Sequence, residues 1–128
     1  MTARVGERLE LGPDAAARAR RALAPLKPEL PADCFQDVLL LVSELVTNSF
    51  RHGGPNADGV AFLSVEMDRE RIHVEVEDRG VGFVPQPVRV AAPDRESGWG
   101  LTIVDRIADR WGVVEHGSTV VWFELARN

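Results

Sequence analysis

The chain has 128 residues, 45% of them hydrophobic, a formal charge of -5 and one cysteine, which suits a single domain over residues 1–128 burying roughly 65–70% of its unfolded surface. The acidic balance offers no basic face to a nucleic-acid backbone, and the lone Cys34 excludes an intrachain disulfide. The longest apolar run, Val38 to Val42, is far short of the ~20 residues of a membrane span, and with no basic stretch leading into an apolar one at its start the chain is expected in the cytoplasm.

Glu7 to Leu11 alternates polar and apolar side chains and is broken by Gly12-Pro13-Asp14, which predicts a short edge strand entering a helix. Ala15 to Leu26 is rich in alanine and arginine, with Ala19, Leu23 and Leu26 at helical spacing. This predicts a helix that ends near Pro25 and Pro28 and has one basic, solvated side. After Pro31, Ala32-Asp33 offers an N-cap for a longer and more apolar helix through Val38, Leu41, Val42, Leu45 and Ser49, stopped by Gly53-Gly54-Pro55.

Val60 to Met67 and Ile72 to Val76 alternate with a period of two around Asp68 to Arg71, the pattern of an antiparallel hairpin with Asp78 just past its second strand. Gly80 to Gly100, with Pro85, Pro87 and Pro93, reads as an irregular loop. Leu101, Val104 and Ile107 then mark one stripe of a helix that Gly112 is expected to end. Val113-Val114 and Thr119 to Leu125, joined through Gly117-Ser118, predict a closing hairpin. The fold class expected is α/β (α+β), a two-layer sandwich of about three helices on one face of a mainly antiparallel mixed sheet. Trp111 and Trp122 are expected to fill the core.

Three segments could carry chemistry. Glu44 and Asn48 are polar residues four apart in a nearly apolar helix, which puts them on one face about 6 Å apart along the axis. Such a pair fits a solvated helix side, but a carboxylate and an amide oxygen are also hard ligands suited to magnesium and its waters. Asp78-Arg79-Gly80-Val81-Gly82 fits an ordinary turn. It equally fits an adenine pocket, in which a carboxylate at a strand end accepts from an amino group and glycines let a flat ring approach the backbone. Ser97-Gly98-Trp99-Gly100-Leu101 opens a helix, where exposed N–H groups and the helix dipole favour phosphate. It is neither a Walker loop nor the six-position dinucleotide fingerprint. His52, His73 and His116 lack metal-ligand spacing, so zinc is not expected.

In this order and spacing the three segments resemble the GHKL (Bergerat) nucleotide-binding superfamily of gyrase B, MutL and histidine kinases. Val42 to Gly53 matches its N box, Glu77 to Phe83 its first glycine box and Gly98-Trp99-Gly100-Leu101 its second. Over essentially the whole chain, including Ala108 to Gly112, the similarity is to the short anti-sigma regulatory factors of the RsbW/SpoIIAB type, which are serine/threonine kinases.

The resemblance implies an ATP/ADP pocket between helices and sheet under a lid at roughly Val84 to Ser97. Asn48 would coordinate Mg2+, Asp78 would bind the adenine amino group, and Gly80, Gly82, Gly98, Gly100, Trp99 and Leu101 would lie about the base and phosphates. Glu44 would act as general base toward a serine hydroxyl, or position it. Where kinase members often have Gly-Gly-Arg-Gly, this chain has Ser97-Gly98-Trp99-Gly100, which leaves Arg51 and Arg95 as candidate substitutes for the missing charge, or as solvated surface groups. The implied partners are a STAS-domain anti-sigma antagonist and a sigma factor, with no direct nucleic acid and no membrane, in a homodimer for which an edge strand near Leu9 and Leu11 is available.

A non-catalytic, nucleotide-responsive binding module is the alternative. A detached histidine-kinase half would need a longer lid and a phenylalanine box, and a gyrase-like ATPase would need a transducer domain.

Overall fold

A computed structural model describes residues 3–52, 57–80, 101–115 and 117–127. Its elements in chain order are β1 (Ala3–Glu10), α1 (Ala15–Ala22), a 3-10 helix (Ala24–Glu29), α2 (Ala32–His52), β2 (Ala57–Met67), β3 (Arg71–Gly80), α3 (Leu101–Ile107), β4 (Arg110–Glu115) and β5 (Thr119–Ala126). The strands form one sheet in the order β1-β2-β3-β5-β4. Every described pair is antiparallel, and the helices lie on one face, so the expected α+β sandwich is observed.

The alanines that give α1 its helical propensity also let it lie close to its neighbours, with Ala15 and Ala19 buried. Its basic side is solvated as expected: Arg18 Nε pairs with Asp14 at 3.2 Å, and Arg20 and Arg21 sit in the last turn, where the helix dipole favours cations. The helix is shorter than the sequence pattern predicts. It stops at Ala22 and the chain tightens into the 3-10 helix, which contains Pro25 and Pro28. Proline lacks the N–H that a continuing α-helix needs. The apolar row survives the change, since Leu23, Leu26 and Leu30 are all buried.

Helix α2 has 21 residues and is roughly 30 Å long. Asp33 lies inside its first turn rather than capping it, a place where a carboxylate suits the dipole. The buried stripe Val38, Leu41, Val42, Leu45 rests on Leu63, Val65, Ile72, Val74, Val76 and Phe123 of the sheet. Near its start the Cys34 thiol donates to the Ala126 carbonyl at 3.7 Å. Burial, reinforced by Asp37, pushes that thiol's pKa above its ordinary value of 9.0.

The β2–β3 turn is set by Asp68, whose Oδ1 accepts the N–H groups of Glu70 (2.8 Å) and Arg71 (3.0 Å). Those two bonds hold its carboxyl below the ordinary value. Beyond the turn, inward side chains alternate with outward ones along both strands, as predicted.

Three further expectations need correction. Asp78 lies within β3, not past it, because the ladder continues to Gly80. Gly112 does not end α3. The helix stops at Ile107, Asp109 N–H bonds to the Glu124 carbonyl, and Gly112 sits inside β4 opposite Trp122. A Cβ at Gly112 would lie 2.8 Å from Trp122 Nε1, so the glycine is there to admit the indole. Trp122 therefore covers the outer face of the sheet, half-buried, while its neighbour Phe123 fills the core. Trp111 packs against the core from β4, with Nε1 bonded to Asp105 Oδ1 at 2.9 Å.

Candidate functional site

The buried stripe of α2 changes character along its length. After Val38, Leu41, Val42, Leu45 and Val46, the next inward positions are Asn48 (8% exposed) and Ser49 (9% exposed), the buried polar residues among those described. A buried amide carries a desolvation cost unless something satisfies it, so Asn48 does not mark a solvated side. Glu44, one turn earlier, is half-buried. Beside it the Ser43 hydroxyl donates to the Leu39 carbonyl at 2.7 Å and accepts from Arg20 of α1 at 3.0 Å.

On the sheet the matching change occurs at one end of the β3–β5 ladder. Ile72, Val74 and Val76 are buried against the helices, and the period of two then turns Asp78 to the same side, half-buried with Oδ1 fully buried. Its register partner on β5 is Thr119. The Thr119 hydroxyl is also buried and has no hydrogen-bond partner among the described residues. On the other flank Asp78 pairs with Ala61, and the β2 ladder resumes only at Ala57 opposite Gly80. The intervening bulge holds Gly59, at φ 77°, whose carbonyl accepts from Leu11 N–H. Bulges of this kind re-aim side chains next to sites.

Helix and sheet bring these changes to the same end of the molecule. Cys34 anchors the start of α2 at Ala126, the register partner of Arg71. From Cys34 to Asn48 the helix rises about 21 Å. From the Arg71–Ala126 pair to the Asp78–Thr119 pair the sheet extends about 23 Å. Since α2 packs along β3, β2 and β5, its polar end comes to about the level of Asp78 and Thr119. The arrangement offers a carboxylate oxygen and a hydroxyl in the sheet and an amide oxygen in the helix. This donor set suits a ligand with an amino-bearing ring at one end and a hard cation at the other.

The remaining predicted residues fall differently. Gly80 ends β3, and Leu101 begins α3 with a buried side chain (5% exposed) that packs in the core. Arg51 lies in the last turn of α2, its side chain outside the described residues. Gly82, Arg95, Gly98, Trp99, Gly100 and the expected lid at Val84 to Ser97 lie outside them altogether. Thr119 was missed. Its only sequence signal is its place directly after Gly117-Ser118 at the head of a strand.

The outer face holds the other concentration of polar groups. His73 bonds through Nδ1 to Glu124 (2.9 Å) and through Nε2 to Glu75 (2.8 Å), and its ring stacks on Trp122 at 5.5 Å. Burial alone would lower its pKa, but the two carboxylates outweigh that and raise it. For Glu124, burial is outweighed by His73, Arg71 and Arg110, and the net shift is downward. These groups satisfy one another.

A half-buried carboxylate near the end of β3 and a buried amide near the end of α2, over an antiparallel sheet, fit a nucleotide-binding α+β domain. The comparisons agree. The model of the histidine kinase-like ATPase domain matches residues 9–124. The chain is 32% identical over 111 residues to an anti-sigma F factor of Bacillus cereus, covering 80% of this chain and 75% of that one. To an anti-sigma F factor of Geobacillus thermodenitrificans it is 35% identical over 108 residues, covering 77% and 73%.

In fold it is similar to the crystal structure of the RsbU and RsbW domains of a Mycobacterium tuberculosis protein, with a TM-score of 0.70 and 17% identity over 98% of this chain and 33% of that one. The chain belongs to the histidine kinase-like (GHKL) ATPase family, among the anti-sigma factors of the RsbW/SpoIIAB type. Among the described residues no helix is long and apolar enough to cross a membrane.

Proposed function

We propose that the chain is an ATP-dependent serine/threonine protein kinase that phosphorylates a STAS-type anti-sigma antagonist and binds a sigma factor. The observation that carries the nucleotide half of this reading is the polar end of an otherwise apolar interface: the buried Thr119 hydroxyl, without a partner among the described residues and in register with Asp78, and buried Asn48 near the end of α2. The kinase half is supported by membership of the anti-sigma factors.

In this reading Asp78 accepts from the adenine amino group and Thr119 bonds a ring nitrogen directly or through a water. Gly80, Gly82, Gly98, Trp99, Gly100 and the Leu101 backbone line the base and phosphates, and Arg51 lies near the phosphates. Mg2+ would be held by the phosphates and by the amide oxygen of Asn48. Such a cation would keep several waters and arrive with its nucleotide. Bound ATP supplies the phosphoryl group and leaves as ADP. Glu44 takes the proton of the acceptor serine hydroxyl as its oxygen bonds to phosphorus. Alignment and charge neutralisation are most of what such a transfer needs. We assign the activity to the cytoplasm and to a homodimer.

The test is transfer of labelled phosphate from ATP to a cognate antagonist. Glu44→Ala is expected to keep ATP and lose transfer, and Asn48→Ala to weaken magnesium-dependent nucleotide binding. Equal loss of binding in both would contradict that division. Trp99 in place of the arginine often present in kinase members favours a second reading, a switch without transfer. In that case no serine is modified, yet partner affinity differs between ATP, ADP and no nucleotide.

A further inference from the structure

Asp78 stands at a weak point of the sheet. Toward β2 the ladder is bulged immediately beyond its pair with Ala61, and toward β5 its pair with Thr119 is the last of the register. Beyond Thr119 the chain turns through Gly117, whose φ of 81° is left-handed. Toward β5 the ladder stops at this pair, and toward β2 it resumes only beyond the bulge, at Ala57 opposite Gly80, so the pairing that fixes the direction of a side chain is weakened on both flanks of Asp78.

A side-chain contact between β3 and the turn before β5 crosses this end. Ser118 Oγ donates to Glu77 Oε2 at 2.7 Å, partly buried. Glu77 pairs with Val120, so Ser118 is its diagonal neighbour on the outer face, at the distance where cross-strand side chains still reach one another. Ser118 precedes Thr119 and Glu77 precedes Asp78 in the chain. The bond therefore spans the Asp78–Thr119 pair from behind and joins the two strands where the ladder stops joining them. A hydroxyl donating to a carboxylate is among the stronger side-chain bonds.

We propose that Ser118, acting through Glu77, is a positioning residue that holds Asp78 and Thr119 in register and so sets how sharply the site distinguishes adenine from guanine. The inference rests on the nucleotide reading above. Guanine presents a carbonyl where adenine presents its amino group, and a carboxylate held in place accepts from one and repels the other. With the bond removed, the strand ends spread, the adenine contact weakens, and the repulsion of guanine weakens with it.

The experiment is calorimetric titration of ATP, ADP, adenosine and GTP into the wild-type chain and its variants. Ser118→Ala is expected to weaken ATP, ADP and adenosine by a common factor of about five and to lower the preference for ATP over GTP. Ser118→Thr, which keeps the hydroxyl, restores both. Glu77→Ala reproduces Ser118→Ala, Glu77→Gln stays near wild type because it keeps an acceptor oxygen, and the double alanine variant is no worse than either single one.

The clip alone is overturned if wild type binds ATP and Ser118→Ala binds it equally well, or if ATP and GTP weaken by the same factor, as general destabilisation would produce. It is also overturned if ATP weakens while adenosine does not, which would move the effect to the phosphates, or if threonine fails to rescue. A wild-type chain that binds no ATP overturns the nucleotide reading and the clip with it.

Discussion

On the outer face of the sheet His73, Glu75, Glu124, Arg71 and Arg110 bond to one another over the stacked Trp122, whereas on the helix-covered face Thr119 keeps a buried hydroxyl without a partner among the described residues. The outer cluster is more highly charged but closes on itself. The inner Thr119 hydroxyl is small, sits where apolar side chains would pack, and leaves hydrogen-bonding capacity unused among the described residues. A buried polar group without a partner costs stability that a satisfied surface network does not, so unspent capacity, not charge density, singles out the inner end of the sheet as the candidate site.

The largest effect expected from breaking this contrast is at Phe123, which is fully buried one residue from the outward Trp122. Phe123→Ala should cost about 3–5 kcal/mol in chemical denaturation, and Trp122→Ala clearly less. Equal costs would mean that the faces are not distinct. Next come the inner polar residues. Asp78→Asn is expected to reduce ATP affinity by about 30-fold or more, roughly 2 kcal/mol, with little change in stability. Thr119→Val should also weaken ATP while leaving the fold as stable or slightly more so, because a methyl replaces an unbonded hydroxyl. Loss of stability in Thr119→Val would show that the hydroxyl is satisfied in the free protein.

Gly112→Ala tests the outer face, where a Cβ 2.8 Å from the indole must displace Trp122. The expected cost is about 1–3 kcal/mol, with ATP affinity unchanged.

Smallest is the pH response. His73 holds its proton more tightly than its ordinary value of 6.5, so its contribution is complete below about pH 6.5 and fades as pH rises through the raised folded value. Glu124, held below its ordinary 4.5, contributes above that value and loses its share as pH falls through the lowered one. Thermal stability should therefore decline as pH rises above about 6.5. In His73→Gln that slope should vanish, and its persistence would place the titrating group elsewhere.

Much of this was legible in the sequence because it depends on neighbours in the chain. The stripe of α2, the alternation of β2 and β3, and the polar interruption at Glu44 and Asn48 are local patterns. So is the pairing of Asp78 with glycines. Thr119 was not legible, since threonine is common in strands and gains its meaning only from the register with Asp78, 41 residues away. The orientation of β5 was equally hidden. Val120, Val121, Trp122 and Phe123 are consecutive apolar residues, so a period of two cannot say which aromatic turns inward. The answer lies in Gly112, which reads as a helix stop until β4 is seen to run past it.

Cys34 joins α2 to the last strand through the Ala126 carbonyl, and its thiol is buried with a raised pKa. Little of it is thiolate at neutral pH, so an alkylating reagent must wait for that corner to open. The rate at which one equivalent of reagent is consumed is thus a clock for the parting of helix and strand, read without any label. If nucleotide binding at the far end of α2 stiffens the helix along its length, the clock should run slower in its presence.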